Sequence, residues 1–246
     1  MKKTVGFIGA GNMASAIIHG MINSKVFRND EIMVYDTDSE KTKALKEKLK
    51  ISVANDNEEL LKSSEAVLIA VKPASLPKLL PGLSKTFEKE KNFVISIAAG
   101  QSIEKLTSLI GVQLPIVRVM PNINAVCSQA ISGYAKNEFV TKENLCLAEK
   151  LLNCFGKAVQ IDESLFSVFS AVAGCSPAYV YLFANTLSQA SVKYGFTKKE
   201  SLSFVCDEII NAVKDFEKDE TKEKELENVV KLALKAAYEK DMKICM

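Results

Sequence analysis

Apolar residues recur along this chain in two rhythms. Up to about residue 161, short β-branched and apolar runs alternate with stretches where apolar residues return every three or four positions. Such runs read as strands and such stretches as amphipathic helices. Residues 4–8 (TVGFI) form the first run, and Ile17, Ile18, Met21 and Ile22 share one face of the helix that follows. Residues 31–36 (EIMVYD) predict a second strand, after which Asp38 or Ser39 can cap a helix through Leu49. A short third strand spans 51–54, and Asn55, Asp56 and Asn57 open a short helix carrying Leu60 and Leu61. Residues 66–71 (AVLIAV) are apolar on both faces, as in a central parallel strand covered by helices on each side. That run stops at Lys72 and Pro73, since proline cannot continue a central strand. Residues 93–97 repeat the pattern and end in Ala98, Ala99 and Gly100, after which Ser102 caps a helix. Strands are further expected at 115–120, 131–135 and 157–161, with an amphipathic helix over 141–155. This alternation predicts an α/β fold built on a doubly wound sheet.

From Asp162 onward the strand rhythm is lost. Leu165, Phe166, Val168 and Phe169 make a helical stripe. Ser176 and Pro177 read as a cap and a first-turn proline, opening a helix to about Tyr194. Its Tyr179, Val180, Leu182, Phe183, Thr186 and Leu187 leave little polar surface, so burial is expected, here against a second subunit. Thr197 to Glu200 forms a capping box for a helix ending near Phe216. Residues 217–227 read as a charge-dense linker or solvated helix edge, and 229–242 as a final helix. Two domains are therefore expected: 1–161, holding the sheet, and 162–246, all helical.

The first strand runs into Gly9-Ala10-Gly11-Asn12-Met13-Ala14, a GxGxxA turn, and then into a helix. Strand, glycine turn and helix are the setting of a dinucleotide fingerprint. Gly9 would permit the tight turn, Gly11 would let a pyrophosphate approach the backbone, and Ala14 would let helix and strand pack closely. Exposed N–H groups and the positive helix end would face the phosphates. The plain alternative is an ordinary glycine turn. Asp36 ends the second strand about 20 residues past the turn, where an acid hydrogen-bonds a ribose 2′-hydroxyl. A carboxylate there would repel a 2′-phosphate and favour NADH. Asp36 can equally be a turn residue, because Thr37, Asp38 and Ser39 continue a turn-rich stretch. Ligands of open α/β sheets bind at the carboxyl edge, which places the Lys72–Pro73 turn there. Ala98, Ala99 and Gly100 are small enough for a nicotinamide to lie flat.

Composition narrows the alternatives. Of 246 residues, 48% are hydrophobic and 25% charged, as in ordinary globular proteins. The net charge of +2 makes no electrostatic case for nucleic acid or a membrane surface. No uninterrupted apolar run approaches the roughly 20 residues of a membrane span, and the glycine turn interrupts what might resemble a signal peptide after Lys2 and Lys3. Six cysteines without a CxxC pair, with His19 the one histidine, point away from a zinc site. Such cysteine usage suits a reducing cytoplasm. His19, beside the apolar stripe of the first helix, reads as a packing residue.

The segments GFIGAGNMA, AVKP, SIAAG, RVMPN and GCSPAYVYLF, in this order and spacing, resemble the pyrroline-5-carboxylate reductase family from about residue 4 to 216. The resemblance implies reduction of 1-pyrroline-5-carboxylate to proline, a step of proline biosynthesis, with NADPH or NADH. It implies a Rossmann domain over 1–161 and a helical dimerisation and substrate domain over 162–246, assembled as a homodimer or larger homo-oligomer. By resemblance the cofactor would contact Gly9, Ala10, Gly11, Asn12, Met13, Asp36, Asn57, Ala70, Val71, Lys72, Pro73, Ile97, Ala98 and Ala99. The family's SPGGTT-like segment, whose backbone and hydroxyls hold the substrate carboxylate, is replaced by Asn228-Val229-Val230-Lys231-Leu232-Ala233-Leu234. The usual SGSGPAY is altered to Ala173-Gly174-Cys175-Ser176-Pro177-Ala178-Tyr179. Reduction of a protonated imine demands no histidine base, since the carbon is already electrophilic. Placement against the nicotinamide and exclusion of water can suffice. Lys72 reads as a turn lysine reaching phosphate or solvent, and no catalytic residue is assigned. Two alternatives stay open: a reductase of another small cyclic imine, and a non-catalytic nucleotide-binding paralogue.

Overall fold

In the computed structural model, which describes residues 4–88 and 91–216, the run after Thr4 becomes strand β1 (Val5–Ile8), with all four residues buried. On one side lie β2 (Ile32–Tyr35) and then β3 (Ser52–Val53). On the other lie β4 (Ala66–Ile69), β5 (Phe93–Ser96) and β6 (Ile116–Met120), and all of these run parallel. Ile8 pairs with Tyr35 on one flank and Ile69 on the other, so three strand ends lie level. The sheet finishes with β7 (Ala130–Lys136), antiparallel to β6, and β8 (Gly156–Gln160), parallel to β7. The order is β3-β2-β1-β4-β5-β6-β7-β8. The doubly wound sheet therefore carries one antiparallel step. The link from β6 to β7, residues 121–129, holds one 3-10 turn at Ile123–Cys127 and is shorter than the dozen or so residues a parallel crossover requires. The expected third strand shrinks to two residues.

Six helices cover the sheet: α1 (Asn12–Asn23), α2 (Ser39–Leu49), α3 (Asn57–Ser63), α4 (Leu76–Leu83), α5 (Ile103–Ile110) and α6 (Lys142–Leu152). Alternate strand residues enter opposite cores, as the two-residue period requires. Phe7, Ala66 and Leu68 pack with Ile17 and Met21 of α1, Leu45 of α2 and Leu151 of α6. Ile8, Val67 and Ile69 pack with Leu60 of α3, Leu80 of α4 and Leu106 of α5. Four starts are capped by side chains: Asp38 accepts from Glu40 N at 3.1 Å, Asp56 from Glu59 N at 2.8 Å, Ser102 from Lys105 N at 3.1 Å and Thr141 from Asn144 N at 3.2 Å. Helix α4 goes beyond the sequence reading. Pro77 sits in its first turn and Pro81 inside it, and proline ordinarily argues against a helix interior. The buried Leu76, Leu80 and Leu83 hold it nonetheless.

After β8 the chain stays tied to the sheet. Glu163 Oε1 accepts from Ile103 N at 2.8 Å, at the start of α5, and from an Arg118 Nη at 2.9 Å on β6. The Arg118 guanidinium lies 4.1 Å from the centre of the Phe166 ring. Phe166 begins α7 (Phe166–Phe169), which widens into a π-helical turn, Ser170–Gly174. Asn122 Nδ2 donates to Ala173 O at 2.9 Å, joining RVMPN to the altered AGCSPAY stretch. Helix α8 (Ser176–Val192) follows, then α9 (Lys198–Phe216).

The chain divides into two compact units that part between Ala178 and Tyr179. Within the second, Thr197 and Glu200 form the expected reciprocal cap: Thr197 N donates to Glu200 Oε2 at 3.0 Å and Glu200 N to Thr197 Oγ1 at 3.2 Å. The Phe196 and Phe204 rings meet edge to face at 5.8 Å. The expected burial of α8 is not met within one chain: Tyr179, Leu182 and Phe183 are exposed, Leu182 at 68%. The helical stretch Glu163–Val192 holds an 18-residue window of mean hydropathy 1.5, long and apolar enough to cross a membrane by length and composition alone. Scattered Ser, Asn, Gln and Thr residues break that stretch, so a search for an uninterrupted apolar run passes over it. The linker and final helix expected over 217–242, and the 228–234 stretch, lie outside the described residues.

Candidate nucleotide site

The site grows from the carboxyl ends of β1, β2 and β4. Gly9 leaves β1 with φ +105°, in the left-handed region. A Cβ there would stand 3.0 Å from the carbonyl carbon and oxygen of Ala70. Glycine thus lets the first turn pass against the end of β4. Gly9 N donates to Tyr35 O at 2.8 Å and Ala70 N to Ile8 O at 2.9 Å, so the strands remain registered where the turn begins.

Gly11 is the cap position of α1, and no side chain bonds the helix start. Its first turn holds no acid. A Cβ built on Gly11 meets nothing within 4 Å, so the space above the turn is open. Unsatisfied N–H groups, the positive helix end and open space together suit an anion.

Asp36 follows β2 directly. Its Oδ2 accepts from Ala10 N at 2.7 Å and its Oδ1 from Asp38 N at 2.9 Å. Asp36 thus shapes its own turn, as one sequence reading expects, and also reaches the glycine turn. A cavity of about 440 Å³ opens beside it. Four of the expected contact residues line it: Gly9, Asp36, Asn57 and Val71. The Asn57 Oδ1 is buried and takes no hydrogen bond from the described protein atoms. An orphaned acceptor of this kind calls for a donor from a ligand or water.

The remaining expected residues do not line this cavity. Ala10 is buried, Asn12 is exposed at the start of α1 and Met13 is half-buried against the core. Ala70 packs beside Gly9. Lys72 and Pro73 continue from Val71 into a short turn in which Ser75 N donates to Lys72 O at 2.9 Å. Ile97, Ala98 and Ala99 stand at the end of β5: Ile97 N donates to Ile69 O at 3.1 Å, Ala98 is buried and Ala99 exposed. They share the carboxyl edge but not the cavity. Sequence reasoning missed Ile8, Tyr35, Thr37, Ala74, Ser75, Lys78 and Leu79 in the lining. The last four come from the turn and helix that the prolines disguised. Their signal was the leucine spacing at 76, 80 and 83. His19 is half-buried on α1, with burial first and then Lys48 pushing its imidazole below the ordinary value.

Open amides at a helix start, an acid fixed beside them and an orphaned acceptor in a neighbouring cavity fit the diphosphate and adenosine end of a dinucleotide. Comparison with known proteins points the same way. Residues 4–100 match a family described as NADP oxidoreductase coenzyme F420-dependent, and residues 163–232 match one described as pyrroline-5-carboxylate reductase dimerisation. The pyrroline-5-carboxylate reductase of Escherichia coli (strain K12) is 31% identical over 214 residues, covering 87% of this chain and 79% of that protein. The Methanosarcina acetivorans enzyme of the same name is 33% identical over 213 residues, covering 87% and 78%. Among solved structures, 1-pyrroline-5-carboxylate reductase from Streptococcus pyogenes superposes with TM-score 0.83 at 30% identity, covering 92% of this chain and 84% of that one. The Plasmodium falciparum pyrroline carboxylate reductase with NADP bound gives TM-score 0.85 at 26% identity, covering 99% and 92%. By sequence and fold over most of its length, this chain belongs to the pyrroline-5-carboxylate reductase family.

Proposed function

We propose that this protein reduces 1-pyrroline-5-carboxylate to proline, as a step of proline biosynthesis, using a reduced nicotinamide dinucleotide. The observation that carries the reading is the uncapped start of α1 above Gly11, beside Asp36 and the orphaned Asn57 oxygen. The bound cofactor would supply the hydride. The chain's part is to hold and aim it. The N–H groups of Gly11, Asn12 and Met13 would face the diphosphate. Asp36 and Asn57 would hold the adenosine end, with Ala70, Val71, Lys72 and Pro73 along the end of β4. Ile97, Ala98 and Ala99 would floor the nicotinamide end, where small side chains leave room. A protonated imine needs no base on the enzyme, so positioning and dryness are what the protein contributes.

In the same reading, residues 1–161 form the dinucleotide-binding domain and 162–246 the helical substrate and dimerisation domain. The family match at 163–232 supports a homodimer through that domain. Small net charge and scattered cysteines support a cytoplasmic setting without nucleic-acid or membrane partners. Loss of reduced-nicotinamide absorbance on adding 1-pyrroline-5-carboxylate, with stoichiometric proline, is the expected outcome. Nucleotide binding without turnover of any cyclic imine in the panel described below would leave only the non-catalytic paralogue. A second reading, reduction of a different small cyclic imine, is favoured by one observation: Asn228 to Leu234 lacks the glycine, proline, serine and threonine with which the family holds the substrate carboxylate. A panel of five- and six-membered imines, with and without the carboxylate, separates the two. Preference for an imine lacking the carboxylate selects the second.

A further inference from the structure

We infer that Asp36 is a specificity-determining residue that makes this chain select NADH over NADPH. The inference rests on the nucleotide site proposed above and adds which dinucleotide that site takes. The Asp36 carboxylate is fixed at both ends. Oδ2 accepts the Ala10 N–H at 2.7 Å and Oδ1 the Asp38 N–H at 2.9 Å. Both donors are backbone groups on turns held by other bonds: Gly9 N reaches Tyr35 O at 2.8 Å, and Glu40 N reaches Asp38 Oδ1 at 3.1 Å. Swinging the carboxylate aside would strand two N–H groups. A carboxylate offers about four acceptor sites. With one donor on each oxygen, Asp36 keeps room to accept from ribose hydroxyls. A 2′-phosphate takes the place of the donating hydroxyl and brings about −1.5 to −2 of like charge.

No arginine compensates. An arginine is what accommodates a 2′-phosphate in sheets of this kind. The chain has two, Arg28 and Arg118, and neither lines the cavity. Arg28 pairs with Asp30 at 3.1 Å and Glu31 at 3.2 Å, and Arg118 with Glu163 at 2.9 Å. In the turn itself, Lys41 pairs with Asp38 at 3.1 Å and Lys43 with Glu40 at 2.9 Å. Lys78 is the single cation among the lining residues. The Plasmodium falciparum relative was solved with NADP bound; the selection inferred here belongs to this chain's own turn.

The test is a fluorescence titration of the full-length protein with NADH and with NADPH, in the absence of substrate. The wild type is expected to bind NADH at least about tenfold more tightly. Asp36→Asn removes the charge and keeps an oxygen for one of the two N–H groups, so the two affinities should then come within about threefold of each other. In the wild type the ratio should also narrow as salt rises, since ions screen the repulsion. That arm needs no variant to fold. Equal or tighter NADPH binding by the wild type, or an unchanged ratio in Asp36→Asn, overturns the inference and leaves the nucleotide site standing. If the wild type binds neither nucleotide, the site reading falls and this inference falls with it.

Discussion

Two residues show how closely single positions are constrained. Gly9 combines a left-handed backbone with a Cβ direction blocked by the Ala70 carbonyl. Gly9→Ala should therefore cost about 1–3 kcal/mol of stability, read as a lower Tm, and should weaken nucleotide binding because the turn must shift. A Tm and affinity equal to wild type would refute this account of the turn. Tyr134 is 3% exposed on β7, and its hydroxyl donates to the Glu149 carboxylate of α6. Burial first, then that carboxylate, push the phenol well above its ordinary value. The folded state thus holds the proton more tightly than the unfolded chain. The stability this confers is complete below about pH 10, the unfolded value, and is lost as the pH rises towards the folded one. Tyr134→Phe should destabilise the protein by about 1–3 kcal/mol near neutrality, because Glu149 loses its donor. It should also shrink the fall in stability above about pH 10. Denaturant unfolding across that range decides, and an unchanged alkaline slope would count against the Tyr134–Glu149 bond.

Among the elements, the contrast between helix starts is informative. Helices α2, α3, α5 and α6 each begin at a side-chain cap, whereas α1 and α4 have none, and α4 carries proline in its first turn instead. Glycine at the cap costs only about a few tenths of a kcal/mol against a capping side chain, and at this turn it leaves amides free for a phosphate. Helix α8 departs in the other direction. Its Tyr179, Val180, Leu182 and Phe183 present an apolar surface to solvent in the single chain, larger than isolated exposed apolar residues explain. The dimerisation match over 163–232 spans this helix, and the proposed homodimer would bury its apolar face. Leu182→Glu should drive the protein towards a monomer in sedimentation while circular dichroism stays helical. A variant that sediments as the wild type does would remove Leu182 from the interface.

At the scale of the molecule, the order of the sheet places the site. The chain leaves β1 towards β2 and β3, then returns to β4 on the opposite flank, and the two directions part at the carboxyl end of β1. There the loops diverge and a crevice opens, which is where Gly9, Asp36, Asn57 and Val71 meet. A ligand that binds the folded chain alone stabilises it by mass action. At a hundredfold excess over its dissociation constant, a reduced nicotinamide nucleotide should add about 2.7 kcal/mol, seen as a raised Tm. An unmoved Tm would mean that no such site forms. Much of this was legible in one dimension. Strand periodicity, the glycine turn and the capping residues Asp38, Asp56, Ser102 and Thr141 act through neighbours in the chain, so the sequence by itself determined β1 to β6, most helices and the position of the turn. What depends on contacts distant in sequence needed the tertiary structure. Helix α4 survives its prolines because three leucines are buried by the sheet and α5. Strand β7 turns antiparallel because its link is too short to cross over. Asp36 bonds Ala10, 26 positions away, because parallel pairing of β1 with β2 brings their ends level, and no local pattern records a partner chosen by the packing of a whole sheet.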